Sequence, residues 1–125
     1  MAIQNINSLS EDEEQILLFE WAQWQLGKYP ELELMHHIPN GGARSKGEAG
    51  KFKGMGVKSG IPDIFLPCAR RVWHGLYIEL KRADGGKLSK KQEEIIPKLQ
   101  QQGYKVVVCH GMEEAKNEII KYLEG

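Results

Sequence analysis

The chain has no hydrophobic run approaching the roughly 20 residues that cross a bilayer. Its first residues, MAIQNINSLSEDEE, offer neither the basic region nor the apolar stretch of an export signal. No membrane association is expected, and a cytoplasmic location is. Cysteine is scarce: Cys68 and Cys109 are the only two, they do not form a C-x-x-C pair, and they read as buried thiols, not as a zinc site or disulfide. No G-x-x-x-x-G-K-[ST] pattern occurs, so a nucleotide phosphate loop, and with it a nucleotide cofactor, is not expected. Charge of one sign is also missing, because 17 basic residues balance 17 acidic ones.

What is present is enough for one domain. A chain of 125 residues with 41% hydrophobic and 27% charged content is long enough for a single core and close to globular averages. The neutral total conceals segregation. Residues 10 to 33 hold seven acids against Lys28, a net of −6. Residues 44 to 58 carry Arg44, Lys46, Lys51, Lys53 and Lys58 against Glu48, a net of +4. Residues 70 to 91 include Lys81, Arg82, Lys87 and Lys90 and carry a net of +5. Brought side by side, the two basic segments make an anion-binding surface; kept apart, they are ordinary solvated loops.

Local signals order the elements. Ser10 with Glu13 three residues on forms a capping box, and apolar residues recur from Ile16 to Leu26, which predicts a helix over about 10 to 27 stopped by Gly27. Within it Trp21 and Trp24 suit core or dimer packing. LELMHHI, residues 32 to 38, reads as a strand with His36 and His37 on opposite sides, one toward a substrate and one toward the core. Residues 39 to 60 contain seven glycines and read as a long basic loop with a helical turn near Lys51 to Met55, a length that usually signals function. Strands are expected at 63 to 67 and 74 to 81. A helix capped by Ser89 follows, kinked or divided at Pro97, and then a strand at 104 to 110 and a helix from Met112 to Leu123. The order α-β-β-β-α-β-α implies an α/β fold, a mixed sheet flanked by helices.

Within this order GIPDIFLPCARRVWHGLYIELK, residues 60 to 81, places ionisable groups inside apolar strands. Alternation along a strand puts Glu79 and Lys81 on one face, about 7 Å apart. If the two strands pair through the intervening turn, Asp63 approaches Glu79. Two adjacent carboxylates repel unless something neutralises them, and an oxygen-ligated divalent cation does so. The plainer reading makes Asp63 a turn acid and Glu79 with Lys81 a surface ion pair.

Pro62-Asp63 followed by Glu79-Leu80-Lys81 resembles the signature of the PD-(D/E)XK nuclease superfamily. GIPDIFL, LYIELKRADGGKLSKKQ, EEQIL and HIPNGGARS together resemble the VRR-NUC family, in particular its stand-alone bacterial and phage members, over residues 10 to 123. The resemblance implies a restriction-endonuclease-like α/β fold and a DNA endonuclease dependent on Mg²⁺ or Mn²⁺. Asp63, Glu79 and the main-chain carbonyl of Leu80 would hold the metal, Lys81 would position water and stabilise the phosphate, and Gln92 would touch the lysine or the scissile phosphate. Glu14 would hold a metal-bound water or a second ion; Glu13 is its rival in EDEE, although the capping box suits Glu13 to a structural role. Gln92 also fits as partner of the Ser89 cap, and both roles are compatible. A homodimer acting on branched DNA such as four-way junctions is implied, in bacterial or phage-infected cytoplasm.

Arg44, Lys46, Lys51, Lys53, Lys58, Arg82, Lys87 and Lys90 are the candidate contacts to DNA phosphates, which position without reading sequence. Two other readings share the fold: a DNA-binding module without turnover, and a restriction-type endonuclease with a fixed recognition sequence. An HNH-type site from His36, His37 and Asn40 is disfavoured, since those groups crowd into five residues.

Overall fold

The computed structural model describes residues 9–39 and 46–125. Apart from Leu9, the expected flexible lead of residues 1–9 lies outside these, as do Asn40 and Arg44.

Helix α1, Glu11–Trp24, begins as its sequence demands. The Glu13 amide donates to Ser10 Oγ (3.1 Å) and the Ser10 amide to Glu13 Oε1 (2.9 Å), closing the capping box. Its inward stripe is Glu14, Leu18 and Ala22 at helical spacing. Trp21 packs against the core, whereas Trp24 is 86% exposed, so only the first tryptophan is used for packing within the chain.

The strand expected over 32 to 38 is mostly absent. A 3₁₀ helix, Pro30–Leu34, occupies its first part, and β1 is reduced to His36–His37. Tyr29, Leu32 and Met35 are the buried residues here, a period of three that matches a 3₁₀ turn and not the period of two that a strand needs. The predicted loop is likewise interrupted: α2, Lys46–Gly54, forms nine residues of regular helix. Glycine suggested a loop, but Glu48, Ala49 and three lysines between 46 and 53 favour helix enough to override it.

Strands β2 (Ile64–Leu66) and β3 (Leu76–Lys81) pair antiparallel, with Ile64 opposite Ile78 and Phe65 opposite Tyr77. Helix α3, Lys90–Gln101, carries the chain across to β4, Lys105–His110, which runs parallel to β3. That crossover is what a parallel neighbour requires. Helix α3 runs undivided through Pro97, contrary to the expected break. Pro97 and Glu93, whose carbonyl loses its usual amide partner, are both exposed, so the missing bond falls on the solvent side of the helix. Helix α4, Met112–Glu124, closes the fold, and the sheet order is β1-β2-β3-β4.

One face of the sheet is sealed. Ile64, Leu66, Leu76, Ile78 and Leu80 pack with Leu18 and Ala22 of α1 and with Ala115, Ile119 and Tyr122 of α4, each at most 4% exposed. Tyr122 donates its hydroxyl to the Cys68 carbonyl (2.7 Å), which satisfies the one polar atom it brings inside. Cys68 and Cys109 are buried free thiols, and burial pushes the Cys109 thiol up to about 12. The opposite face carries the odd-numbered residues of β2 and β3, among them Glu79 and Lys81.

Candidate active site

The register that pairs Ile64 with Ile78 sets Asp63 opposite Glu79. Asp63 Oδ2 accepts the Leu80 amide at 2.9 Å, a bond that substitutes a carboxylate for the next rung of the ladder and ends the β2–β3 pairing. The N–H and C=O of one strand residue point to the same side, so the Leu80 main chain faces Asp63. On the other edge of β2 the Asp63 carbonyl accepts the Ile38 amide (2.6 Å) and lies 2.9 Å from His37 Nδ1.

Glu79 is 2% exposed. Its Oε2 meets Lys81 Nζ at 3.2 Å, while its Oε1 is buried with no hydrogen-bond partner. Lys81 Nζ also donates to Gln92 Oε1 at 3.3 Å. That same oxygen accepts the Ser89 amide (2.8 Å), and Ser89 Oγ accepts the Gln92 amide (3.1 Å). Gln92 therefore fills both suggested places, capping α3 and orienting Lys81. Burial, then the neighbouring Asp63 charge, push the Glu79 carboxyl up to about 7, with Lys81 and Gln92 offsetting only part. Burial raises Asp63 as well, against the Leu80 amide, His37 and Lys81.

Two glycines seat this group. At Gly60, φ is +90°, and an added Cβ would lie 2.7 Å from Lys91 Cγ and 2.9 Å from the Lys91 carbonyl. The chain entering Pro62-Asp63 is thus pressed against α3. Gly86, with φ +120°, lies against the Lys81 stem, holding the loop after β3 over the lysine.

Comparison with known proteins agrees with this fold. The chain matches the family model of the VRR-NUC domain over residues 9–113. It belongs to the VRR-NUC family. A solved structure described as a VRR_NUC domain protein is 34% identical, with a TM-score of 0.77 over 93% of this chain and 89% of that one. A search of curated proteins finds no match. VRR-NUC domains are nuclease domains, which implies DNA as substrate.

Within this VRR-NUC domain the predicted residues divide. Asp63, Glu79, Leu80, Lys81 and Gln92 come together. Among the described residues no group of three His, Cys, Asp or Glu side chains is assembled to hold a metal. Buried Glu14 accepts the Met112 amide on Oε1 (2.9 Å), at the first turn of α4, where a helix favours an acidic side chain. Gly111 makes room, since a Cβ there would stand 3.0 Å from Ala83 Cβ and 3.4 Å from Glu14 Oε2. Sequence spacing along α1 could not show this, because the partner lies 98 residues away.

Of the basic candidates, Lys51, Lys53, Lys58, Lys87 and Lys90 are exposed. Arg82 is also exposed but clasped by Asp84 through two bonds of 3.0 and 2.8 Å, which leaves its fork less available to phosphate. Lys46 begins α2. His36 and His37 do occupy opposite faces, His36 packing edge-on to Phe65 (5.9 Å, 89°) and His37 beside Gln15, Ile16 and Phe19 of α1; both are exposed, so neither enters the core. No helix among the described residues is long and apolar enough to cross a membrane.

Proposed function

We propose that this VRR-NUC domain is a metal-dependent endodeoxyribonuclease that hydrolyses phosphodiester bonds at Asp63, Glu79 and Lys81, and that it acts as a homodimer on branched duplex DNA. The observation that carries the reading is Glu79 Oε1, a buried carboxylate oxygen without a partner beside a second carboxyl and a lysine. Burying such a group is destabilising unless another ligand satisfies it. The donor set is all oxygen, which suits Mg²⁺ or Mn²⁺ over softer ions. Asp63, Glu79 and the Leu80 carbonyl would hold the ion.

A divalent cation bound here lowers the pKa of a water and offsets charge on the phosphate. Lys81, pinned between Glu79 Oε2 and Gln92 Oε1, presents a compact positive charge on the same face, aimed at a non-bridging phosphate oxygen as negative charge builds. Water adds to phosphorus, the bond to the 3′ oxygen breaks, and the products carry 5′ phosphate and 3′ hydroxyl. Gln92 acts through Lys81 as a positioning residue. The exposed lysines of α2 and of the segment after β3 supply sequence-independent phosphate contacts. Two sites related by a two-fold axis suit a symmetric junction.

Incubation of the purified protein with linear duplex, flap and four-way-junction DNA in Mg²⁺ or Mn²⁺, with EDTA as control, tests the reading. Metal-dependent nicking fastest on the junction is expected. Binding without cleavage of any substrate supports the DNA-binding module instead, and cutting at one short sequence in linear duplex supports a restriction-type enzyme.

A further inference from the structure

The sheet face that bears Asp63 and Glu79 also bears a row of aromatic rings. Phe65 stacks on Tyr77 with centroids 4.4 Å apart and planes at 23°. Tyr104 meets both edge-on, at 5.8 and 5.5 Å. His36 extends the row at the β1 end, against Phe65, and His74 extends it beyond Tyr104. Phe65, Tyr77 and Tyr104 are half-buried and the two histidines exposed, so the row is open along its length. The core on the other face is complete without it. Gly75 lets Phe65 lie flat on the strand, since a Cβ there would stand 2.9 Å from Phe65 Cε1.

Position gives the row its meaning. Phe65 is two residues from Asp63, and Tyr77 two residues from Glu79, on the same faces of the same strands. Each step of two along a strand covers about 7 Å, within the reach of a single nucleotide. A strand whose phosphate sits at the carboxylates can therefore lay an adjacent base on the rings, provided that base is out of the duplex. Aromatic side chains on a sheet are a recurrent platform for unpaired bases, worth roughly 1–3 kcal/mol per base and indifferent to sequence.

We propose that Phe65, Tyr77 and Tyr104 form a stacking platform for an unpaired base next to the phosphate held at Asp63 and Glu79, so that the site engages DNA where a base has left the helix. The proposal rests on the reading of that site as a nuclease centre, and it is tested apart from cleavage. With Ca²⁺ in place of Mg²⁺, so that a cation bridges carboxylates and phosphate, fluorescence anisotropy compares a labelled 15-nucleotide oligo-dT with a strand of the same length and charge whose positions are all abasic. Wild type is expected to bind the base-bearing strand about tenfold more tightly, the lower part of the range for one stacked base. Tyr77→Leu is expected to bring the ratio near one while leaving abasic affinity within about twofold. Tyr77→Trp, which keeps a ring, is expected to retain the preference, a rescue that a purely structural role for the hydroxyl does not produce. Equal binding of both strands by wild type, no binding of either, or a preference that survives Tyr77→Leu overturns the platform. Cleavage of junction DNA in Mg²⁺ can stand or fall independently of these outcomes.

Discussion

Asp63 and Glu79 face each other across the antiparallel β2–β3 pair, and Asp63 is fixed there by the Leu80 amide at 2.9 Å. The pairing brings two carboxyls into one partly water-excluded place, and the more buried of them, Glu79, titrates at about 7. An arrangement that disfavours its own charges in the folded protein is the mark of a site kept for binding or chemistry.

Stability without divalent metal should fall as pH rises. Glu79 titrates near 7 in the folded chain and at about 4.5 in the unfolded one, so the folded state holds the extra proton between those values. The stabilisation is complete below about pH 4.5 and lost as pH rises through 7, on the order of 3 kcal/mol. Asp63 is raised too and acts in the same direction. Melting temperatures in EDTA at pH 5 and pH 8 check this, and Glu79→Gln should flatten the dependence.

Added Mg²⁺ or Mn²⁺ should raise the melting temperature far more at pH 8 than at pH 5, because the ion competes with protons for the same oxygens. Stripping the metal with a chelator should reverse the shift. Asp63→Asn should abolish it, and titration calorimetry should find binding that releases protons near neutral pH.

Glu14 should matter for stability. Its Oε1 caps the Met112 amide from a buried position, and losing such a cap costs about 1–2 kcal/mol. Glu14→Ala is therefore expected to lower stability by about that amount in urea denaturation, while Glu14→Gln, which retains an acceptor, loses less. Glu13→Ala removes one arm of an exposed box and should cost under about 1 kcal/mol.

Gly60→Ala should be costly despite the small change. It combines φ +90° with a Cβ 2.9 Å from the Lys91 carbonyl, and strain of this kind is worth about 1–3 kcal/mol. Relief of the clash must push α3 and the Pro62-Asp63 segment apart, so nuclease activity should drop with stability in a paired melting and cleavage assay.

Much of this was legible in the sequence because it depended on short-range rules. The Ser10–Glu13 and Ser89–Gln92 boxes, the alternation that sets Glu79 and Lys81 on one face, and the pairing of neighbouring strands are all local or nearly so. Two elements were less legible. Leu32 and Met35 follow a period of three that so short a segment does not separate from a strand, and glycines hide the helix of α2. The bond from Glu14 to α4 was not legible, because its partner, Met112, is brought to it only by the packing of α4 on α1, which no spacing within α1 encodes.

The central claim is that Glu79 is retained for metal-assisted hydrolysis at the expense of the fold. Glu79→Gln, measured side by side for melting temperature in EDTA and for four-way-junction cleavage in Mg²⁺ at pH 8, tests it most directly. The account predicts a variant at least as stable as wild type and at least a hundredfold slower, as expected when a principal electrostatic contribution is lost. A variant that cleaves at the wild-type rate would contradict it.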